Sequence, residues 1–153
     1  MDFVGLGKDI HKLKQTKTNI VLGGYSFASN HKIVAVSDGD IILHACADAI
    51  LGACCAGDIG MYFPDTSSKN KNIDSKIILA YALAVAKKKG MIINNIDITV
   101  VCDKIMINPK RKQILNSLKL LLKTNNVNLK ATRFEENKNI IEVLAIVSMK
   151  KGK

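Results

Sequence analysis

Residues 41–56 form one long apolar stretch, preceded by Ser37-Asp38-Gly39-Asp40 and followed by Gly57. Short polar side chains before the stretch and a glycine after it are the expected start and stop of a helix, so the segment is read as helical. A second helix is expected over residues 75–89, because Lys87, Lys88 and Lys89 crowd its last turn and Gly90 follows. A third is expected over 109–124, with Pro109 at its first position and Ile114, Leu118, Leu121 and Leu122 on one face. Between them lie segments that read as strands: 3–10, where Gly5 and Gly7 permit close backbone approach, then 19–22 ending at Gly23-Gly24, then 33–36. Residues 95–102 alternate with β-branched side chains, and 129–134 and 140–149 complete the set. Residues 58–72, containing Pro64, read as a loop. Strands alternating with helices in a chain of this size predict one small domain over 1–153. Its expected class is α+β (an α/β sandwich), a mixed sheet with helices on one face in a ferredoxin-like arrangement.

The formal charge is +10, from 23 basic and 13 acidic residues. Only Arg111 and Arg133 among the basic residues are arginine. Readers of nucleic acid rely on arginine forks and aromatic platforms, and aromatic residues make up 5% of the chain with no tryptophan. The lysine excess therefore reads as compositional bias on the surface, and nucleic acid is not an expected partner. The longest apolar run, residues 77–86, is half of the ~20 residues a membrane-spanning helix needs. No membrane partner is expected, and the expected location is the cytoplasm of a bacterium, or a plastid stroma if a transit peptide has been removed. Cys46, Cys54, Cys55 and Cys102 form no CxxC pair, so they read as small buried hydrophobes in a reducing compartment.

The histidines are His11, His31 and His44. Asp9 and His11 sit two apart on the first strand, so their side chains share a face. His44 falls one turn into the first helix. One carboxylate and two imidazoles would make a three-ligand zinc site with an open fourth position, as catalytic zinc requires. Taken alone, Asp-x-His spacing more often marks polar residues satisfied within a sheet than a metal site.

A longer pattern narrows the choice. Gly5-x-Gly7-x-Asp9-x-His11, Gly23-Gly24, Ser37-Asp38-Gly39-Asp40-x-x-x-His44, Gly57-Asp58-Ile59-Gly60, Phe63-Pro64-Asp65-Thr66 and Asp74-Ser75 follow one another in that order. Later come Asn95-Ile96-Asp97-Ile98-Thr99 and Asn126-Val127-Asn128-Leu129-Lys130-Ala131-Thr132. Over nearly its whole length the sequence resembles the 2-C-methyl-D-erythritol 2,4-cyclodiphosphate synthase family. The resemblance implies a phosphorus–oxygen lyase of the non-mevalonate isoprenoid pathway, a homotrimer with active sites between subunits. The family reaction is an intramolecular phosphoryl transfer. The 2-phosphate of a cytidine-diphosphate-linked methylerythritol attacks the β-phosphate and CMP leaves. By resemblance, Zn²⁺ falls to Asp9, His11 and His44, and Mg²⁺ or Mn²⁺ to Glu135. Substrate contacts fall to Asp9, His11, Ser37, Asp58, Gly60, Phe63, Asp65, Lys104, Met106, Thr132 and Glu135.

The sequence departs from the family pattern at four places. Val36 stands at the family's histidine, a proposed transition-state stabiliser, and offers no hydrogen-bond donor. Arg133 stands at a phosphate-contacting threonine and is the catalytic candidate there, since a guanidinium can neutralise phosphate. Ile105-Met106-Ile107 replaces a Pro-Lys-Met nucleotide segment, with Lys104 nearby. Only residues 136–141 separate Glu135 from Glu142, too few for the family's arginine-bearing loop. These changes define the alternative expectation, a zinc-containing trimeric binding protein of the same fold without turnover.

Overall fold

In the computed structural model, which describes residues 1–152, the chain runs β1 (Asp2–Leu22), β2 (Tyr25–Ile33), α1 (Ile41–Ala53), α2 (Ile59–Tyr62), α3 (Ser75–Lys88) and β3 (Met91–Cys102). It continues with α4 (Arg111–Leu122), β4 (Val127–Thr132) and β5 (Ile140–Lys151). The sheet order is β2-β1-β5-β3-β4. β5 lies antiparallel between β1 and β3, and β3 pairs in parallel with β4. The expected sandwich is thus present: β1 and β3 flank β5 as in the split β-α-β unit of the ferredoxin-like arrangement, and α4 adds a parallel crossover.

Helix α1 is apolar on nearly every side because it is covered on nearly every side, by the sheet on one face and α3 on the other. Only His44, Asp48 and Gly52 escape full burial, one open stripe at four-residue spacing. Gly5 and Gly7 let the helix lie directly on β1. A Cβ at Gly7 would come within 1.8 Å of the Ala45 carbonyl oxygen, and one at Gly5 within 1.8 Å of that of Ala49.

The two short strands expected at 3–10 and 19–22 are one continuous strand, and the one expected at 33–36 lies earlier, as β2. The first half of β1 pairs with β5; the second half leaves with β2 as a ribbon. Gly23 (φ 60°) and Gly24 (φ 81°) form the two-residue turn between them, where both central residues need positive φ. Buried Asp40 holds this turn: its carboxylate accepts from Gly23 N–H at 2.8 Å and Gly24 N–H at 2.7 Å while capping α1 through Leu43 N–H at 3.2 Å. Pro109 belongs to a short 3₁₀ turn ahead of α4, not to its first position. Within 58–72, Asp58 caps the one-turn α2. Cys46, Cys54 and Cys102 are buried as expected, whereas Cys55 is exposed at φ 50°.

The sheet face away from α1 is open and apolar. Val4 is 67% exposed, Leu6 62%, Ile10 49% and Ile146 51%. No helix among the described residues is long and apolar enough to cross a membrane.

Candidate functional site

Beyond Gly5 and Gly7 on the helix-facing side of β1 come Asp9 and His11, and the close glycine contact brings the open stripe of α1 to them. Ligand atoms of Asp9, His11 and His44 all lie within 4.8 Å of one another. Asp9 Oδ2 is 3.1 Å from His11 Nε2 and 3.3 Å from His44 Nδ1. The outer nitrogens are both engaged. His11 Nδ1 lies 2.9 Å from the Val34 carbonyl oxygen, which can only accept, so Nδ1 carries the proton. His44 Nε2 lies 2.8 Å from Ser75 Oγ, whose hydroxyl donates to Asp38 Oδ1, so Nε2 carries the proton there. With both imidazoles neutral, three acceptor atoms converge with no donor among them. A cation or additional protons must occupy that centre, and one carboxylate with two imidazoles is a donor set that suits zinc.

The electrostatics agree. Partial burial works against the charge on Asp9, but the His11 and His44 imidazoles beside it outweigh that and hold the carboxyl at about 2. The Asp9 hydrogen bond raises His11, against a smaller opposing effect of burial, and the Asp65 charge adds to the rise. Metal-free protein therefore keeps the His11 proton above the ordinary value of 6.5, and a metal bound at this centre would have to displace it. Apparent zinc affinity should climb as pH rises through the neutral range and level off once His11 is neutral. Metal-free stability should run the opposite way, with the His11 contribution complete below 6.5 and lost as pH passes its raised folded value. Competition with a chromophoric chelator and thermal melts between about pH 5.5 and 8.5 measure both slopes; an affinity flat across this range contradicts the assignment.

A second group gathers at the C-terminal ends of β3 and β4. Lys104, Met106, Thr132 and Arg133 line a cleft of about 420 Å³ together with Asp103 and Ile107. Asp103, which no spacing in the sequence singled out, organises its rim. Its side chain is 1% exposed and accepts from Glu135 N–H at 3.0 Å and Lys138 N–H at 2.8 Å, with Arg133 Nε 3.8 Å away. The short segment before β5 is thereby a defined turn, with Glu135 (φ 62°) and Asn137 (φ 54°) in left-handed conformations. Glu135, Thr132 and Arg133 are exposed.

The remaining site residues divide by position. Asp58 caps α2, Gly60 lies within it and Phe63 closes it, with the Phe63 ring edge-on to Tyr81. Asp65 follows on the same loop, close enough to influence His11. Ser37 is half-buried and its hydroxyl accepts from Gly39 N–H; Val36 is 42% exposed. The cleft lining includes none of Asp9, His11 and His44. Ile10 pairs with Glu142, Glu142 with Val101 and Val101 with Thr132, so the first and last strands in that row are roughly 14 Å apart at ~4.8 Å per step. Thr132 also points to the open sheet face and Asp9 to the helix face. One chain does not bring the two groups onto a common ligand.

The pattern of the YgbB family matches residues 3–150. The chain belongs to the YgbB family. Among the relatives of this YgbB chain, a 2-C-methyl-D-erythritol 2,4-cyclodiphosphate synthase of Mycoplasmoides gallisepticum is 44% identical over 151 residues, spanning 98% of this chain and 97% of that protein. One of the same name from Leptospira borgpetersenii is 47% identical, over 87% of this chain and 84% of its own. A Plasmodium falciparum IspF solved as a CDP complex superposes with a TM-score of 0.86 at 32% identity, covering 99% of this chain and 97% of that one. The departures at Val36, Arg133 and the short 136–141 segment thus lie within a YgbB chain whose near relatives are named as synthases.

Proposed function

We propose that the chain closes the 2,4-cyclodiphosphate ring of methylerythritol, in the reaction for which its relatives are named, releasing CMP. The observation that carries this reading is the convergence of Asp9 Oδ2, His11 Nε2 and His44 Nδ1 within 4.8 Å of one another, in a chain of this family. Phosphoryl transfer of this kind needs positioning and charge neutralisation more than covalent help from the protein. Asp9, His11 and His44 would hold Zn²⁺, which when bound polarises a phosphate oxygen; Glu135 would hold Mg²⁺ or Mn²⁺, which neutralises diphosphate charge. Asp58 and Asp65 suit the methylerythritol hydroxyls, since carboxylates accept from diols. Gly60 and Phe63 bound the same loop, and Ser37 would add a hydroxyl to the substrate contacts. The cleft edged by Lys104 and Met106 takes the cytidine end, with the Arg133 guanidinium and the Thr132 hydroxyl facing its phosphates. Arg133 then supplies charge that the family takes from its longer loop, and Val36 contributes only contact.

The two residue groups meet on one substrate if copies of the chain assemble, and the exposed apolar face of Val4, Leu6, Ile10 and Ile146 is the surface to be covered. We infer a homotrimer in which one copy supplies the metal centre and its neighbour the nucleotide cleft. This catalytic reading is preferred to a zinc-containing binding protein because turnover is the shared property of the named relatives. Purified protein incubated with the cytidine-diphosphate-linked substrate, Zn²⁺ and Mg²⁺ should release CMP, and chelation should stop it. CMP release no greater than that of a His44→Ala control would sink the proposal.

A further inference from the structure

The outer nitrogen of His44 is held by an assembly that joins distant parts of the chain. Ser75, wholly buried at the first turn of α3, places its hydroxyl 2.8 Å from His44 Nε2 and 2.5 Å from Asp38 Oδ1. Asp38 is engaged on both oxygens: Oδ1 also accepts from Asp40 N–H at 3.0 Å, and Oδ2 from Ser75 N–H at 3.0 Å. Asp38 N–H in turn donates to the Ile73 carbonyl at 3.0 Å. An ionised carboxylate can only accept, so the Ser75 hydroxyl proton points to Asp38 and leaves a serine lone pair towards His44. The imidazole must then carry its proton on Nε2 and expose the Nδ1 lone pair to the centre shared with Asp9 and His11.

We propose that Ser75 and Asp38 are positioning residues that fix the tautomer and ring orientation of His44, presetting its Nδ1 as a metal ligand. The inference rests on the metal reading given above and deepens it. His11 obtains the same service from a backbone carbonyl, which no side-chain change can remove; His44 depends on two replaceable side chains. Asp38→Asn should weaken this polarity. The single amide oxygen cannot serve Asp40 N–H, Ser75 N–H and the Ser75 hydroxyl as an ionised carboxylate does, and wherever the amide nitrogen takes the Oδ1 place it donates to the Ser75 oxygen, turns the hydroxyl proton towards His44 and favours the tautomer with Nδ1 protonated.

The test uses cobalt(II) as the probe, with chelator competition for affinity and visible absorption for geometry. Ser75→Ala and Asp38→Asn should each bind cobalt about 10–100-fold more weakly than the unaltered chain, the range for removing a partner of a metal-bound histidine. In metal-free protein, ¹⁵N spectra of the imidazoles should show His44 with its proton on Nε2, moving towards Nδ1 in Asp38→Asn. A purely structural role for Ser75 would lower the melting temperature and leave cobalt affinity and tautomer unchanged, which overturns the proposal. If the unaltered chain fails to bind cobalt, the metal reading fails; the tautomer spectra then decide the relay, and an Nδ1–H His44 in the unaltered chain refutes it. Should Ser75→Ala not fold, Asp38→Asn and the spectra of the unaltered chain decide between a positioning and a purely structural role.

Discussion

Alanine in place of Gly7 should lower stability by about 3 kcal/mol or more, at the top of the range for overpacking. The added methyl would meet the Ala45 carbonyl oxygen at 1.8 Å, with the Ala45 carbonyl carbon and the Ala49 nitrogen both at 2.8 Å. All three are backbone atoms of a helix, so no rotamer change can relieve the clash; α1 must lift from β1 as a body. The candidate metal centre spans that same gap, with Asp9 two residues beyond Gly7 on β1 and His44 one residue before Ala45 on α1. The substitution should therefore weaken metal binding as well as stability, with a melting temperature lower by about 10 °C at the usual few degrees per kcal/mol. Calorimetry and metal analysis of Gly7→Ala check both. A variant that melts like the parent and retains stoichiometric zinc would show that the helix is free to move. Gly90→Ala is the control, since nothing lies within 4 Å of an added Cβ there and only its left-handed φ is penalised.

Asp40→Ala should have a comparable effect by another route. The substitution removes one buried carboxylate and strands the N–H groups of Gly23, Gly24 and Leu43. Each unpaired buried donor costs about 1–3 kcal/mol, and a realistic total after relaxation is roughly 4 kcal/mol. Burial pushes this carboxyl up to about 6, against the three N–H groups that pull it down. Because the folded value lies above the ordinary 3.8, the folded state holds the proton more tightly than the unfolded chain. The contribution of Asp40 to stability is then complete below about pH 4 and declines towards pH 6. Denaturant melts across this window should show the decline, and Asp40→Asn should remove it while keeping one acceptor oxygen. A melting temperature for Asp40→Ala within 2–3 °C of the parent at pH 7 would mean that the hairpin turn does not depend on this anchor.

The elements most readable from sequence were those marked by chemistry at their ends. The polar cap before Ile41 and the lysines and glycine after Ala86 placed α1 and α3 to within a few residues. The β1–β2 ribbon was obscured for a physical reason. Lys14 to Lys17 are exposed whichever way they point, so alternation gives no signal there, and an irregularity between Gln15 and Thr18 shifts the register. At the site, strand periodicity put Asp9 and His11 on one face, and the resemblance to the family joined His44 to them. Asp103 and Ser75 could not, since Asp103 meets Glu135 across 32 residues and Ser75 meets His44 across 31. Nothing in local sequence encodes such meetings; they exist only once the sheet has formed.

The placement of β5 between β1 and β3 has a kinetic consequence. Gly5 pairs with Val147 and Asp9 with Val143, so the strand bearing two of the three metal-site residues finds its principal partner near the far end of the described chain. Closing so long a loop carries a large entropic cost before any contact rewards it, and topologies dominated by distant pairings fold slowly. During synthesis, the glycine face of β1 and the apolar flank of α1 would emerge long before the strand that completes their sheet. Until then they remain exposed and prone to association. A metal ion offered to a nascent chain would meet Asp9, His11 and His44 early, but the geometry that holds them together arrives last.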